Sequence, residues 1–436
     1  MSIQRRFKAV TLALLGSVGA TLAHGQTPPI TSAYPLTLGQ ALAAARNNVD
    51  VSLARSVAEA AQADVLAADH APPPTLSAKL SSIDLENGIG EGSVLGERRI
   101  DKGIGIDWTW ERGNKRELRT LAAQRTAAAA AADVEETQLQ QLLAASGAFF
   151  DLAAAQERVA LVEHMAASTA QIASTAARRV SAGDLARQDA LRLEIEAERA
   201  KGDVMAATLD RLKAALALGS LLGLSDSAQS LRTQTAWPTG QDAQADTAAS
   251  ESALEALVDA RSDIRAAADR AAAADAALQG AHAQKKADIN LGVSLDHFPG
   301  TSSGLLELRL QMPLQLGYQF QGETGRASAQ LAAARSVLEK ARRAGVLELQ
   351  GLRAQLRSTA QRSQSYQQDI LPRAQQVAAQ AELAYTKGAL ALSDLLDARR
   401  TLRATGLEAL ATHADHAKAA TAWRLRTQSL ATLLTE

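Results

Sequence analysis

Two aspartates near the end of this 436-residue chain have the type and spacing of a cation-attracting group. Asp394 and Asp397 lie one helical turn apart, so both carboxylates would occupy one face of a helix. Rings of such carboxylates favour cations where they line a passage. The neighbouring Arg399 and Arg400 support a simpler interpretation, in which the acidic pair forms ordinary surface ion pairs. Both interpretations are open from sequence alone.

A histidine pair and a glycine-rich segment are the other candidates for chemistry. His413 and His416 have an i, i+3 spacing that would place two imidazoles on one helix face, but two ligands do not make a metal site. We expect a solvated helix face there. The glycines between two predicted strands lack the following helix of a phosphate-binding loop and indicate an exposed surface loop: Gly88, Gly90, Gly92 and Gly96. The sequence holds no nucleophile elbow and no metalloprotease motif, so we expect no enzyme, no cofactor and no bound metal.

The composition excludes several classes of protein. The 46 basic and 47 acidic residues give no electrostatic footprint for nucleic acid. The absence of Cys excludes disulfides, thiolate zinc sites and a lipidated N-terminal Cys. Aromatic residues make up only 3% of the chain, whereas alanine, the strongest helix former, occurs 96 times. This composition predicts long, closely packed helices.

The first residues have the pattern of a secretory signal. Three basic residues precede a short apolar run at residues 9–20, and Ala23 and Gly25 offer cleavage sites. The run is shorter than the roughly 20 residues that a membrane-spanning helix requires. We therefore expect a signal peptide over residues 1–25.

Two windows, residues 79–121 and 288–326, contain no alanine but hold 13 of the 28 glycines. In and just before them, apolar and polar residues alternate with the period of two that is typical of β-strands. The alternating apolar positions are Leu76, Ala78, Leu80; Ile104, Ile106, Trp108, Trp110; Ile289, Leu291, Val293, Leu295; and Leu306, Leu308, Leu310, Met312.

These strands approach the ~9–11 residues of membrane-spanning β-strands, with an apolar outward and a polar inward face. Trp108 and Trp110 would then fit an interfacial aromatic girdle, and the alternative is an ordinary buried or half-buried Trp pair in a soluble hairpin. Four strands cannot close a barrel, and open edges are not tolerated in lipid, so several chains must contribute. Two copies would supply eight strands and three would supply twelve.

The helical segments are too long for a globular domain. Gly113 to Gly183 contains no proline and would run roughly 105 Å as continuous helix. Gly322 to Gly388 would run about 99 Å, with one interruption at Pro372. We expect tight helix-to-helix turns at Gly183 and Gly388, where glycine accommodates a positive φ.

The two halves of the chain form an internal repeat. The turn glycines are 388 − 183 = 205 residues apart, and an acidic-aliphatic pair precedes each strand pair at Asp50 and Asp263. We divide the chain into a first repeat at residues 26–224, a polar connector at 225–252 and a second repeat at 253–436. Each repeat is expected to contain a helix, a β-hairpin and a long helical hairpin.

With this order of parts, the sequence resembles the TolC-type outer membrane efflux family. The likeness covers essentially the whole mature chain and is carried by residues 36–42 (LTLGQAL), 221–223 (LLG) and 388–402 (GALALSDLLDARRTL). Within the family it is most similar to the branch that serves heavy-metal resistance-nodulation-division (RND) pumps. Residues 111–116 (ERGNKR) after the second strand carry that likeness, together with PLQL and QGE after the fourth.

The resemblance implies a mainly α-helical fold with a β-barrel part: long antiparallel helical hairpins and four transmembrane strands per chain, closed by trimerisation. The homotrimer would form a twelve-stranded barrel in the outer membrane lipid, continued by a periplasmic tunnel. It implies a passive exit channel of a tripartite RND-type system, with heavy-metal cations as cargo. The alternatives are a drug or type I secretion duct, and a periplasmic coiled-coil adaptor or scaffold.

The resemblance also implies partners at the periplasmic tip, where the helical turns meet a membrane fusion (adaptor) protein that leads to an inner-membrane RND pump. In a trimer, Asp394 and Asp397 would form acidic rings near the entrance. By position, the contact residues are Val180, Ser181, Ala182, Gly183, Asp184, Leu185, Lys387, Gly388, Ala389, Leu390 and Leu392. A simple helix reversal without a partner is the alternative for these turns.

Overall fold

A computed structural model describes residues 35–83, 85–86, 88, 90–92, 99–224, 227–235, 237–238 and 251–428. The expected signal peptide and Gly96 lie outside these residues. The described helices of the first half are α1 (Leu38–Ala45), α2 (Val49–Ala68), α3 (Lys115–Ser181) and α4 (Arg187–Leu221). Those of the second half are α5 (Glu251–Asp259), α6 (Ser262–Ala283), α7 (Gln321–Ser365), α8 (Leu371–Thr386) and α9 (Leu392–Thr427).

Helix α3 confirms the expected long helix. Its 67 residues extend roughly 100 Å at 1.5 Å per residue. Mainly small side chains, including Ala129, Ala145 and Ala153, are buried along it, which lets the neighbouring helices approach closely. The counterpart in the second half continues from α7 into α8 through a π-helical turn at Tyr366–Ile370, just before Pro372. The expected interruption is therefore a widened turn, and the helical backbone continues through it.

The first helices begin at side chains that satisfy free backbone groups. The Thr37 hydroxyl accepts from the Gln40 amide while the Gln40 side chain accepts from the Thr37 amide, which forms a capping box for α1. Asn48 caps α2 by accepting from the Asp50 amide at 3.1 Å. The segment before α1 is held by a parallel bridge between Leu36 and Thr233, so the start of the described chain pairs with the residues after α4.

Charged side chains connect the two halves where the helices meet midway. Arg426 on α9 donates to Glu136 on α3 at 2.9 Å, and both side chains are largely buried, with 9% and 13% of their surfaces exposed. Ser262 donates to the same carboxylate at 2.8 Å. Arg261 beside it pairs with Asp263 and Glu348 at 3.0 and 2.8 Å. Each of these arginines therefore has a carboxylate partner, as buried charges require.

The strands confirm the alternation seen in the sequence. They are β1 (Thr75–Ser81), β2 (Asp101–Trp110), β3 (Ile289–Phe298) and β4 (Ser302–Gln311). All neighbours are antiparallel, in the order β1-β2-β3-β4. The two hairpins, far apart in sequence, thus form one sheet through β2 and β3. None of the helices in the described part of the chain combines the length and apolar character needed to cross a membrane.

Candidate functional site

One face of the sheet is apolar and uncovered. The register aligns Leu76, Ile106, Val293 and Leu308 in one row across the four strands. Within this row Leu308 is 74% exposed, whereas a leucine on a globular protein would normally be packed against a core. Contiguous exposed apolar surface of this kind marks contact with a membrane or another chain. We name this the outward face.

Trp108 and Trp110 lie on the outward face at the end of β2 that leads into α3. Their side chains are 53% and 54% exposed, so neither tryptophan is fully buried in the single chain. An indole ring favours an apolar environment while its N–H favours water, which is why tryptophan is frequent where an apolar band meets water. The aromatic girdle remains a prediction for these two residues.

The opposite face of the sheet is polar and carries charges. Arg309 approaches Asp107 at 3.4 Å and Glu307 at 3.3 Å, and Ser77 donates to Asp107 at 3.1 Å. Gly292 lies directly beneath Asp107, and a Cβ atom there would collide with the carboxylate. The glycines of the strands thus make room for charged side chains on this inward face, which suits a water-filled lumen.

Ion pairs fix the sheet to the helices. The Lys115 ammonium lies 2.8 Å from Asp288, and Arg119 pairs with Glu111 at 3.1 Å. At the end of α2, a hydrogen bond from Arg116 lowers the pKa of Asp69 below its usual value. Strand and helix are therefore connected rigidly at this junction.

Left-handed residues begin both long helices, a feature that local sequence patterns do not predict. Asn114 and Phe320, immediately before α3 and α7, have φ values of 58° and 59°. Asn adopts this conformation readily, but Phe rarely does. Only the equivalence of the two positions in the two halves gives a sequence signal for Phe320.

The two helical tips have the expected geometry. Gly183 and Gly388 have φ values of 84° and 74°. The amide of Asp184 donates to the Arg179 carbonyl at 2.8 Å, and the amide of Ala389 donates to Ala384 at the same distance. This 6→1 bond after a left-handed glycine is the Schellman arrangement, so both turns end their helices in the same way.

The predicted contact residues differ in how they are placed. Ser181, Ala182, Gly183, Asp184, Lys387, Gly388 and Ala389 are exposed, and Val180, Leu185 and Leu390 are partly buried. Leu392 is only 8% exposed and packs with Leu395 and Leu193 in the apolar cluster that joins the two tips. A surface for a partner is therefore available on the exposed tip residues, while Leu392 connects α9 to α4.

The acidic pair of Asp394 and Asp397 is exposed, and only one of the two neighbouring arginines forms an ion pair with it. Asp397 is 73% exposed and lies 3.6 Å from Arg400, which also contacts Glu196 at 2.8 Å. Arg399 points the other way, to Glu382 at 2.6 Å. Asp394 is exposed on the same helix face and accepts a hydrogen bond from the Ser393 hydroxyl at 3.3 Å. One carboxylate paired with an arginine and one bound by a serine hydroxyl thus lie near the tip of each chain.

The prediction that the histidine pair lies on a solvated helix face is wrong. His416 is 1% exposed, because α9 turns it into the helical core. The His413 ring stacks on Trp237, with ring centroids 5.0 Å apart, and burial lowers its pKa. Within the described residues no group of three or more His, Asp or Glu side chains could hold a metal ion.

A cavity of about 720 Å³ separates the two helical hairpins between their middle and their tips. Leu161, Met165 and Leu402 line it, and charged pairs such as Arg403 with Asp203, 2.6 Å apart, lie at its edge. Gly406 lets α9 approach α3 beside it: a Cβ atom there would meet Leu161 at 3.3 Å. No pattern in the sequence predicts this cavity.

These features together define a class of protein: long helical hairpins attached to a four-stranded sheet with an apolar outer and a polar inner face. No family description matches the sequence, and no curated protein matches it. Solved structures do. A membrane protein from Pseudomonas aeruginosa is 17% identical with a TM-score of 0.75, covering 90% of this chain and 93% of its own.

Two further structures are similar along nearly the whole chain. The CmeC outer membrane channel of Campylobacter jejuni is 14% identical with a TM-score of 0.74, covering 98% of this chain and 94% of its own. CusC, a protein that forms a transmembrane channel, is 17% identical with a TM-score of 0.66, covering 90% of this chain and 92% of its own. The chain therefore has the fold of the TolC-type outer membrane efflux channels, which confirms the resemblance seen in the sequence.

Proposed function

We propose that this chain is the outer membrane channel of a tripartite RND-type efflux system, and that it acts as a passive duct. The observation that carries the proposal is the sheet itself. Its outward face is apolar and exposed, its inward face is charged, and β1 and β4 have no further strand partner in the described chain. Such a sheet needs lipid on one side and additional strands at both edges.

Closure by copies of the same chain follows from the strand directions. Because consecutive strands alternate in direction, β1 and β4 run antiparallel to each other. Placing β4 of one copy beside β1 of the next therefore continues the same antiparallel pattern. Three copies would give a twelve-stranded barrel, and the similarity to solved outer membrane channels favours three over two.

Uncovered apolar residues on the helices also support association. On α4, Leu191 and Ile195 are 48% and 54% exposed and lie one turn apart. On α8, Val377 and Leu383 are 54% and 56% exposed. These exposed apolar residues lie on the helices next to the two tip turns. We propose that they pack between neighbouring copies and form the wall of a periplasmic tunnel.

The exposed tips are the proposed contact with a periplasmic adaptor protein, which would connect the duct to an inner-membrane pump. Transport energy would come from that pump. Heavy-metal cations are the proposed cargo. The support is the likeness to the heavy-metal branch, the similarity to CusC, and the exposed Asp394 and Asp397, whose copies would surround the entrance.

The deciding experiment begins with the outer-membrane fraction. The protein is extracted in detergent, sized, and inserted into planar bilayers. A trimer that inserts and conducts supports the duct, and sensitivity of a deletion strain to metal salts, with drugs as the comparison, then tests the cargo. A soluble periplasmic protein that neither inserts nor conducts would contradict the proposal and favour the coiled-coil scaffold.

A further inference from the structure

The apolar outward face contains a basic position at its far end. Lys102 is the second residue of β2, on the same side as Ile104 and Ile106, and the register pairs it with His297 on β3. From this pair towards the helices, the next outward residues on both strands are apolar, and on β2 they end with the two tryptophans. A lysine at the limit of a lipid-facing surface needs a compensating partner, because charge is costly in hydrocarbon.

The Lys102 ammonium group is shielded from solvent and has no hydrogen-bond partner among the described residues. An ammonium that loses water without gaining a partner carries a large desolvation cost. An anion supplied from outside the chain would remove that cost. Beside the lysine, a depression on the sheet is lined by His297, Ile104, Leu295 and Gly304, with Lys79 and Asp296 also at its lining. A Cβ atom added at Gly304 would meet nothing within 4 Å, so this side is open.

The height of the pair on the sheet indicates which anion it would meet. Lys102 and Trp110 are eight residues apart on β2, which is roughly 26 Å along the strand and about 20 Å across the membrane at a barrel tilt of about 40°. An outer membrane barrel has an apolar band about 25 Å tall. If Trp110 lies at the periplasmic boundary, Lys102 and His297 lie just inside the outer-leaflet headgroups, which a lysine side chain is long enough to reach.

The pair belongs entirely to one chain. β2 and β3 are the two inner strands of the sheet, so neither residue lies at an edge where another copy would bind. Their outward side would face lipid in a closed barrel of any number of copies. The site therefore does not depend on the exact stoichiometry.

We propose that Lys102 and His297 bind a phosphate group of a glycolipid in the outer leaflet, whose acyl chains lie along Ile104 and Leu295. This inference rests on the proposed membrane function. The ammonium supplies a charge-assisted hydrogen bond to the phosphate oxygens, and the imidazole supplies a second donor beside it. The lipid would fix the position of the barrel in the membrane and neutralise the desolvated ammonium of Lys102.

The test uses the full-length, delipidated protein in detergent, titrated with bisphosphorylated lipid A, with dephosphorylated lipid A and with inorganic pyrophosphate. Wild-type protein is expected to bind the phosphorylated lipid and to bind each of the other two at least roughly 10-fold more weakly. The double variant Lys102→Gln with His297→Gln is expected to lose roughly 10- to 100-fold in affinity for phosphorylated lipid A. Lys340→Gln is the control, because Lys340 is an exposed lysine on α7, away from the sheet.

A second measurement needs no variant. Native mass spectrometry of the wild-type protein should retain phosphorylated lipid A but not dephosphorylated lipid A. Equal affinity of the double variant and wild type, an equal loss in Lys340→Gln, or equal retention of the two lipids would overturn the proposal. Tight binding of pyrophosphate alone would replace the lipid by a free anion. Conductance of the same preparations separates the two ideas: a conducting trimer without lipid selectivity refutes only the lipid site.

Discussion

The indole of Trp237 stacks on the imidazole of His413, with ring centroids 5.0 Å apart and planes inclined by 16°. Trp237 belongs to the segment between the two halves, and His413 to the last helix. The indole also donates to Glu157 on α3 at 2.7 Å and stacks on Phe150, with ring centroids 5.9 Å apart. One aromatic side chain thus joins the connecting segment to both halves of the molecule.

This stack predicts a pH dependence of stability. Burial, with a smaller contribution from His416, lowers the pKa of His413, although Glu157 acts in the opposite direction. Below the ordinary histidine pKa of about 6.5, the unfolded chain takes up a proton that the folded chain resists. The stability contributed by the neutral ring is therefore full above that pH and declines as the pH falls through the folded pKa.

The variant His413→Phe keeps a ring against Trp237 but cannot titrate. We expect its thermal unfolding midpoint to vary less than that of the wild type between pH 7.5 and pH 5, as measured in detergent at constant ionic strength. Superimposable pH profiles of the two proteins would contradict a role for His413 titration in stability.

Removing the carboxylate shared by Arg426 and Ser262 should destabilise the protein strongly. Glu136→Gln removes one of the two carboxylates that contact the largely buried Arg426 guanidinium, which keeps Glu348 at 2.9 Å, and losing such a charged hydrogen bond typically costs about 1.5–3 kcal/mol. The control Glu339→Gln breaks an exposed pair with Arg343 and should cost less than about 0.5 kcal/mol. Chemical denaturation of both variants measures the difference, and equal losses would count against a buried connection between the halves.

The tip glycines should resist substitution by alanine. Gly388→Ala places a Cβ atom on a left-handed residue, at a cost of about 1–2 kcal/mol. Gly351→Ala, in the middle of α7 with open space around it, should instead stabilise the helix by about 0.5–1 kcal/mol. Thermal unfolding compares the two, and binding of the tip variant to a cognate adaptor tests whether its geometry matters for the proposed contact.

Charge on the outward face should prevent assembly, whereas charge on the inward face should not. Leu308→Lys places an ammonium in the proposed lipid-facing band at a cost of about 2–4 kcal/mol per chain. Gln311→Lys lies on the same strand with its side chain on the opposite face. We expect a smaller yield of heat-resistant oligomer in the outer membrane for the first variant only. Similar yields would imply that the outward face does not contact lipid.

Much of the architecture could be predicted because its signals are local. The strict alternation around Ile106 and Leu308 identified the strands within a few residues, since a period of two places alternate side chains on one face of a strand but not of a helix. The absence of proline between Gly113 and Gly183 predicted α3, and the glycines at 183 and 388 predicted the two helix-to-helix turns. These features depend on the backbone preferences of neighbouring residues.

Other features depend on contacts that the sequence does not reveal. The burial of His416 is decided by which face of α9 meets α3, and the apolar pattern of an alanine-rich helix defines that face poorly. Arg399 on α9 pairs with Glu382 on α8, the helix on the other side of the tip, although Asp397 is nearer in sequence. The outward position of Lys102 became significant only when the register placed it beside His297.

The seam between β2 and β3 also has a consequence for the order of folding. A hydrogen bond in this seam joins Thr109 and Asn290, which are 181 residues apart. Contacts so distant in sequence form slowly, because closing a long loop costs entropy before any pairing is gained. A chain that emerges from its N-terminal end can complete the α3–α4 hairpin before β3 is present. The seam can therefore form only after β3 has emerged, so we expect the apolar β1–β2 hairpin to remain without its neighbouring strand until then.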